Sequence, residues 1–395
     1  MRIEPVETRS TANLLTGAFE TPIPNDLIIY DNTLREGEQP PGIRFSADEK
    51  LEMAQLMSDM GVHWANVGFP ASSAAEWQGV NRICKAGLRM KTAALCRLKP
   101  EDIDRTVDAG VEMVALFVGG SDTHLFDKLR WTEERALDEA EAAIARCKER
   151  GVLASFAVED GSRTPIERLL ALYDRAEKAG ADYMVFPDTL GVLTPESAAG
   201  ITRLLAHRYE AHIGTHFHND LGLALANTVA ALRAGAKMAQ VTVNGAGERC
   251  GNTCLEELLV LLHLKYGCDL GIDLSQLHEL SQLVHRASGT EAPPHKPVVG
   301  GWTFTHESGI HVAGLLANPE CYQPYPPATV GRAHEVVFGK HSGAAGVRRL
   351  AKELNLELSD DGVTEVLTRI KDHAEKHKGT VPEPRVFAWI RELSA

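Results

Sequence analysis

The chain has 395 residues, 44% of them hydrophobic and 24% charged, enough for one large core and a smaller appendage. Its 41 Lys+Arg against 54 Asp+Glu leave a formal charge of −13, which argues against general nucleic-acid binding because phosphate contacts need a basic face. Seven scattered cysteines fit reduced thiols better than a disulfide framework. With no basic-then-apolar leader and no bilayer-length apolar run, a cytoplasmic protein without a membrane segment is expected.

Residues 1–25, with Pro22 and Pro24 near their end, read as an arm outside the main domain. Eight short apolar runs follow, at about 26–32, 63–69, 89–96, 112–119, 151–159, 182–188, 212–219 and 238–245. Most are separated by amphipathic, helix-prone stretches such as 46–60, 131–149, 165–179 and 222–235. That alternation predicts parallel strands covered by helices. Eight units predict a closed (β/α)8 TIM barrel over 26–288 rather than an open sheet. The polar residues agree, because they gather at the strand ends: Arg35/Glu36, Asn66, Arg97, Glu159/Asp160, Asp188/Thr189, His216/His218 and Asn244. In a barrel those ends converge on one site. Residues 289–297 hold three prolines and read as a linker; 289–395 is expected to form a linker module and a C-terminal helical subdomain. Its helical pattern runs from about 344 to 376 and stops before Lys378-Gly379.

His216 and His218 form the most specific pair. Residues i and i+2 of a strand point the same way, so both imidazoles can converge on one divalent metal. Glu36, at the end of the first strand, strengthens that reading; the bland alternative is two interior histidines bonded to their neighbours. Asp220 follows as an outer partner of the histidines or a helix cap. Arg35 offers a planar donor fork to a carboxylate or enolate oxygen, or pairs with Glu36 or Glu38. Asn252 can give a carbonyl oxygen to a metal or cap a helix over 253–264. Thr189 can donate to a substrate carboxylate or close a turn. Glu159 can orient a ligand or relay a proton, beside an Asp160–Arg163 structural pair, and Arg97 stands where an anion could bind. Ser121 and His124 are weaker candidates. The glycines of 243–252 make no dinucleotide fingerprint, and Cys250/Cys254 lack a second pair for a zinc site.

Several segments share one further property. DNTLREGEQ (31–39), NVGFPASS (66–73), VED (158–160), FPDTLG (186–191), HFHNDLGLALAN (216–227), NGAGERCGN (244–252), HESGIH (306–311) and GKHSG (339–343) occur in this order. Together they resemble the metal-dependent acyl-CoA carboxylate-condensing barrels of the homocitrate synthase and 2-isopropylmalate synthase family, relatives of hydroxymethylglutaryl-CoA lyase. The resemblance implies metal ligation by Glu36 rather than Asp31, together with His216, His218 and an additional position at Asn252. It implies that Arg35 and Thr189 hold a 2-oxo acid. It also implies a catalytic pair, His311 and Tyr322, in the linker module, often delivered across a homodimer, with Glu307 orienting His311. The implied small molecules are a divalent metal (Mn, Mg or Zn), acetyl-CoA as cosubstrate and the 2-oxo acid.

REGEQ is more similar to the homocitrate branch. The chain has too little C-terminal sequence for the long regulatory domain common in isopropylmalate enzymes, and the extended HESGIH…CY segment weakens a lyase reading. One departure stands out: Asn66 occupies a position where these synthases normally present a glutamate. Loss of that negative charge favours a more anionic acceptor side group. The expected acceptors are therefore 2-oxoglutarate or, in competition, phosphonopyruvate or a phosphinate analogue. These would make the chain a homocitrate, 2-phosphonomethylmalate or 2-phosphinomethylmalate synthase.

Overall fold

A computed structural model describes residues 2–3 and 22–394. Most of the expected arm, residues 1 and 4–21, lies outside the described residues. The described residues divide into two compact units: one of 22–273 and 279–291, the other chiefly of 292–394 with 274–278 and residues 2–3.

In the first unit, eight strands close into a parallel barrel: β2 (Ile28–Asp31), β3 (Trp64–Asn66), β4 (Lys91–Cys96), β5 (Met113–Gly119), β6 (Leu153–Glu159), β7 (Tyr183–Asp188), β8 (His212–Phe217) and β9 (Met238–Val241). Here β1 is the short N-terminal strand Arg2–Ile3 of the other unit. Closure is made by β2 on β9, with Ile28 opposite Met238 and Asp31 opposite Val241. Every strand falls inside its predicted apolar run, because buried parallel strands must be apolar on both faces; β7 is buried at all six positions.

Helices cover the barrel at Ala47–Met60, Glu133–Glu149, Ile166–Lys178 and Ala224–Arg233, within one or two residues of the expected stretches. The first begins with a capping box: the Ser46 side chain accepts from the Glu49 N–H while the Glu49 carboxylate accepts from the Ser46 N–H. No helix among the described residues is long and apolar enough to cross a membrane.

The second unit carries a three-stranded sheet, β1–β11–β10, with β10 at Thr305–His306 and β11 at His334–Val336. Its helices Ala344–Glu353, Asp360–His377 and Glu383–Leu393 bury Phe338, Val347, Leu350, Val366, Ile370, Val386 and Ile390 against one another. The helical run expected from 344 to 376 is thus two helices. The chain breaks at Asn355, whose φ of 56° is left-handed, a conformation asparagine tolerates better than most residues.

Candidate active site

The strand ends meet around a cavity of about 210 Å³. Its walls include Arg35, Glu36, Asn66, Glu159, Thr189, His216 and His218, so the barrel brings seven of the predicted residues to one place.

His216 and His218 leave β8 on the same face, with ring centroids 5.1 Å apart. Glu36 ends the short helical turn Thr33–Glu36 that follows β2. The buried Asp31 starts this turn by accepting the Thr33 N–H at 2.7 Å. One ligand atom each from Glu36, His216 and His218 lies within 4.8 Å of the other two. Burial lowers the pKa of both imidazoles, that of His218 to about 4, with the neighbouring His216 adding to the effect. Both are therefore neutral at pH 7, the form that ligates. Burial alone would raise the Glu36 carboxyl, but Arg35 and the two histidines outweigh it and hold it below the usual carboxylate range.

Among the buried atoms here without a hydrogen-bond partner in the structure are Glu36 Oε2, His218 Nδ1 and Asn252 Oδ1. Orphaned buried acceptors are costly unless something pairs with them. An oxygen–imidazole set of this kind fits a divalent cation. Asn252 lies opposite His218 through an isolated β-bridge. It does not cap the following helix, whose N-cap is Cys254. A tight loop holds Asn252 in place: Gly251 has φ +79°, and a Cβ there would sit 1.9 Å from the Gly245 carbonyl oxygen.

Sequence reasoning missed Gln240. The β8–β9 register sets it opposite His216. Its Oε1 lies 3.0 Å from His216 Nδ1 and accepts from Asn32 Nδ2 at 3.0 Å. A carbonyl oxygen facing Nδ1 makes that nitrogen the N–H donor, which leaves Nε2 unprotonated, 3.4 Å from Asn252 Nδ2 and 3.6 Å from Glu36 Oε1. The strand periodicity that singled out the histidines could have found Gln240, had the cross-strand register been known.

Arg35 hydrogen-bonds Glu36 and reaches Asn32 Oδ1, with its Nε buried and unpartnered. Thr189 Oγ1 accepts the Asp160 N–H at 2.8 Å, so its own O–H is the group left to donate. Glu159 accepts from Lys128 Nζ at 2.8 and 3.0 Å and lies 3.1 Å from the His124 ring. Asp160 and Arg163 form the expected pair. Asp220 neither caps a helix nor bonds the histidines: it takes a two-pronged grip from Arg249, which also reaches the Thr189 carbonyl.

Two of the expected site residues have partners elsewhere. Arg97 does not line the cavity: its Nε donates to Asp102 and its guanidinium lies over the Phe69 ring, which satisfies the charge at the barrel rim. Glu307 Oε1 accepts the His341 N–H at 3.0 Å and so fastens the loop after β11. In the second unit, the His311 and Tyr322 rings are neighbours, with centroids 4.4 Å apart and planes tilted by 49°.

Residues 26–284 match the HMGL-like family model, and 298–378 match the homocitrate synthase post-HMGL domain-like model. The chain is 39% identical over 359 residues to homocitrate synthase AksA of Methanothermobacter thermautotrophicus, covering 91% of this chain and 92% of that one. It is 39% identical over 360 residues to a 2-isopropylmalate synthase of Methanocaldococcus jannaschii, covering 90% and 70%. A crystal structure of the Bacillus subtilis HMG-CoA lyase matches with a TM-score of 0.63 at 20% identity, over 70% of this chain and 98% of that one, and shares the fold. The chain belongs to the HMGL-like family. Within it, the chain is one of the acetyl-CoA-dependent acyltransferases.

Proposed function

We propose that the protein condenses acetyl-CoA with a 2-oxo acid and hydrolyses the thioester, giving a 2-substituted malate and CoA. The observation that carries this reading is the meeting of Glu36, His216 and His218 beside Arg35 and Thr189 in one cavity. Those three residues, with Asn252, would hold a divalent cation such as Mg, Mn or Zn. When bound, such a cation polarises a carbonyl and stabilises developing negative charge.

The chain's own groups do the rest. Arg35 donates to the acceptor's carboxylate and keto oxygen, where charge grows as the new bond forms. The Thr189 hydroxyl donates to the carboxylate. His311, with Tyr322 beside it, takes a proton from the acetyl methyl group, supplied to the barrel by a partner copy in a homodimer. The freed electron pair bonds to the keto carbon, whose π pair moves to oxygen and is protonated. Water then cleaves the C–S bond, releasing the CoA thiol and a carboxylate.

The acceptor's side group meets the neutral donors Asn66, Gln39 and Ser155, among apolar Leu95, Ala115, Phe117 and Ala157. Arg35 is the single Lys or Arg lining the cavity among the described residues. Neutral donors can hold a monoanion, whereas a dianion in a confined site needs a second cation. This supports 2-oxoglutarate, and so a homocitrate-synthase-like reaction. The neutral amide of Asn66 supports a second reading, a phosphinate analogue leading to 2-phosphinomethylmalate. Both stand ahead of dianionic phosphonopyruvate.

The test is acetyl-CoA-dependent thiol release across 2-oxoglutarate, phosphinopyruvate, phosphonopyruvate, 2-oxoisovalerate and pyruvate, for the wild type and Asn66→Glu. We expect the highest kcat/KM with one of the two monoanionic side groups, and a loss of the phosphinate relative to the other acceptors in the variant. Preference for pyruvate or 2-oxoisovalerate would overturn the acceptor reading. No thiol release with any acceptor would overturn the reaction.

A further inference from the structure

Behind His311 and Tyr322 lies a polar chain that the mechanism does not use. His334, only 3% exposed at the head of the central strand β11, carries a partner on each ring nitrogen. Its Nε2 lies 2.8 Å from Gln323 Oε1, and its Nδ1 lies 3.3 Å from His306 Nε2. A carboxamide oxygen can only accept, so Nε2 of His334 carries the proton. Nδ1 is then a lone pair, and it accepts from the N–H at His306 Nε2. The direction of every bond is thus set by Gln323.

The two ends of this chain fall at telling places in the sequence. Gln323 directly follows Tyr322. His306 ends β10, two residues before the N-cap Ser308 of the helix Gly309–Ala317, which carries His311 in its first turn. The β10–β11 register, Thr305 opposite Glu335 and His306 opposite Val336, keeps His306 beside β11. Phe304 packs edge-on against His334 with centroids 5.9 Å apart, and the Arg332 guanidinium lies over the Phe304 ring. His311 and Tyr322 themselves are exposed, Tyr322 to 42%, with the Tyr322 ring lying against Gly314 of the helix that carries His311.

We propose that His334 is a positioning residue for the His311–Tyr322 pair. One ring nitrogen fixes the segment of Tyr322 through Gln323, and the other fixes the segment of His311 through His306. The chain works only while His334 is neutral, since a second ring proton would face the His306 N–H with no lone pair. Burial depresses both histidines, and the nearby His334 and His311 further depress His306, to about 4. The chain therefore stays intact where acetyl-group deprotonation must occur. This inference rests on the reading of His311 and Tyr322 as the proton-handling pair.

Three substitutions separate the bonds. His334→Asn keeps an acceptor near Nδ1 and loses the donor to Gln323; His334→Gln does the reverse; Gln323→Met removes the acceptor with little change of volume. The readouts are kcat and KM for acceptor and acetyl-CoA, the isotope effect with methyl-deuterated acetyl-CoA, Mn titration and thermal melting. We expect kcat to fall about 10- to 100-fold, as for misplacement of a reacting group by about 1 Å. The isotope effect should rise, the KM for the 2-oxo acid should stay within about twofold, and Mn binding should not change.

Gln323→Met serves as the informative variant should the His334 substitutions fail to fold. Folded variants with wild-type kcat and isotope effect would overturn the inference. Controls His311→Ala and Tyr322→Phe keep the two ideas apart: full activity in both overturns the reading of the pair itself, whatever the His334 variants do.

Discussion

At the scale of the residue, the site depends on protonation and tautomer. Gln240 decides which nitrogen His216 presents, because its Oε1 faces Nδ1 at 3.0 Å. Outer partners of ligating histidines typically account for about 10- to 100-fold in metal affinity. Gln240→Leu should therefore weaken Mn or Zn binding by that factor in an equilibrium titration, with the fold intact. Unchanged affinity would show that His216 chooses its tautomer without this partner. His216, His218 and Glu36 were legible as residue types at strand-end spacing, and Glu36 was preferred over Asp31 by resemblance. The structure adds that Asp31 is spent on the Thr33 N–H, deep in the wall, where burial lifts its pKa to about 7. Gln240 was not legible, since its importance arises from a register that no single strand encodes. The pairing of Arg97 with Asp102, five residues on, was not legible either, because composition does not say which way a rim arginine turns.

At the scale of the element, all eight strands could be read, because a parallel barrel strand buried on both faces is a continuous apolar run. Helix breaks were harder. The bend at Asn355 interrupts a pattern whose apolar period continues on both sides, so periodicity alone joined two helices into one. The small sheet β1–β11–β10 escaped notice because strands of two or three residues carry no period at all. It nevertheless holds His306 and His334, which leads to a pH prediction. Both have folded pKa values below the ordinary histidine value of about 6.5. The unfolded state thus binds more protons than the folded one between those values, so stability rises with pH through that range. The contribution is fully present above about pH 6.5 and is lost as pH falls toward about 4. Thermal melts from pH 7.5 to 4.5 should show the midpoint falling with acid, less steeply in His306→Gln. An equal slope in the variant would mean that the depressed histidine lies elsewhere.

At the scale of the whole molecule, a barrel built from eight strand–helix units presents its chemistry at one end, while a second unit carries the His311–Tyr322 pair. The unpartnered buried oxygens of Glu36 and Asn252 beside two neutral imidazoles fit a cation. The direct test of the central claim is thiol release from acetyl-CoA by chelator-stripped protein, titrated back with Mn, Mg or Zn, for the wild type and His216→Ala. The wild type should be inactive when stripped and recover in proportion to bound metal, at about one ion per chain. His216→Ala should melt as a folded protein yet recover little. Full turnover by the stripped enzyme, or by metal-free His216→Ala, would contradict the account.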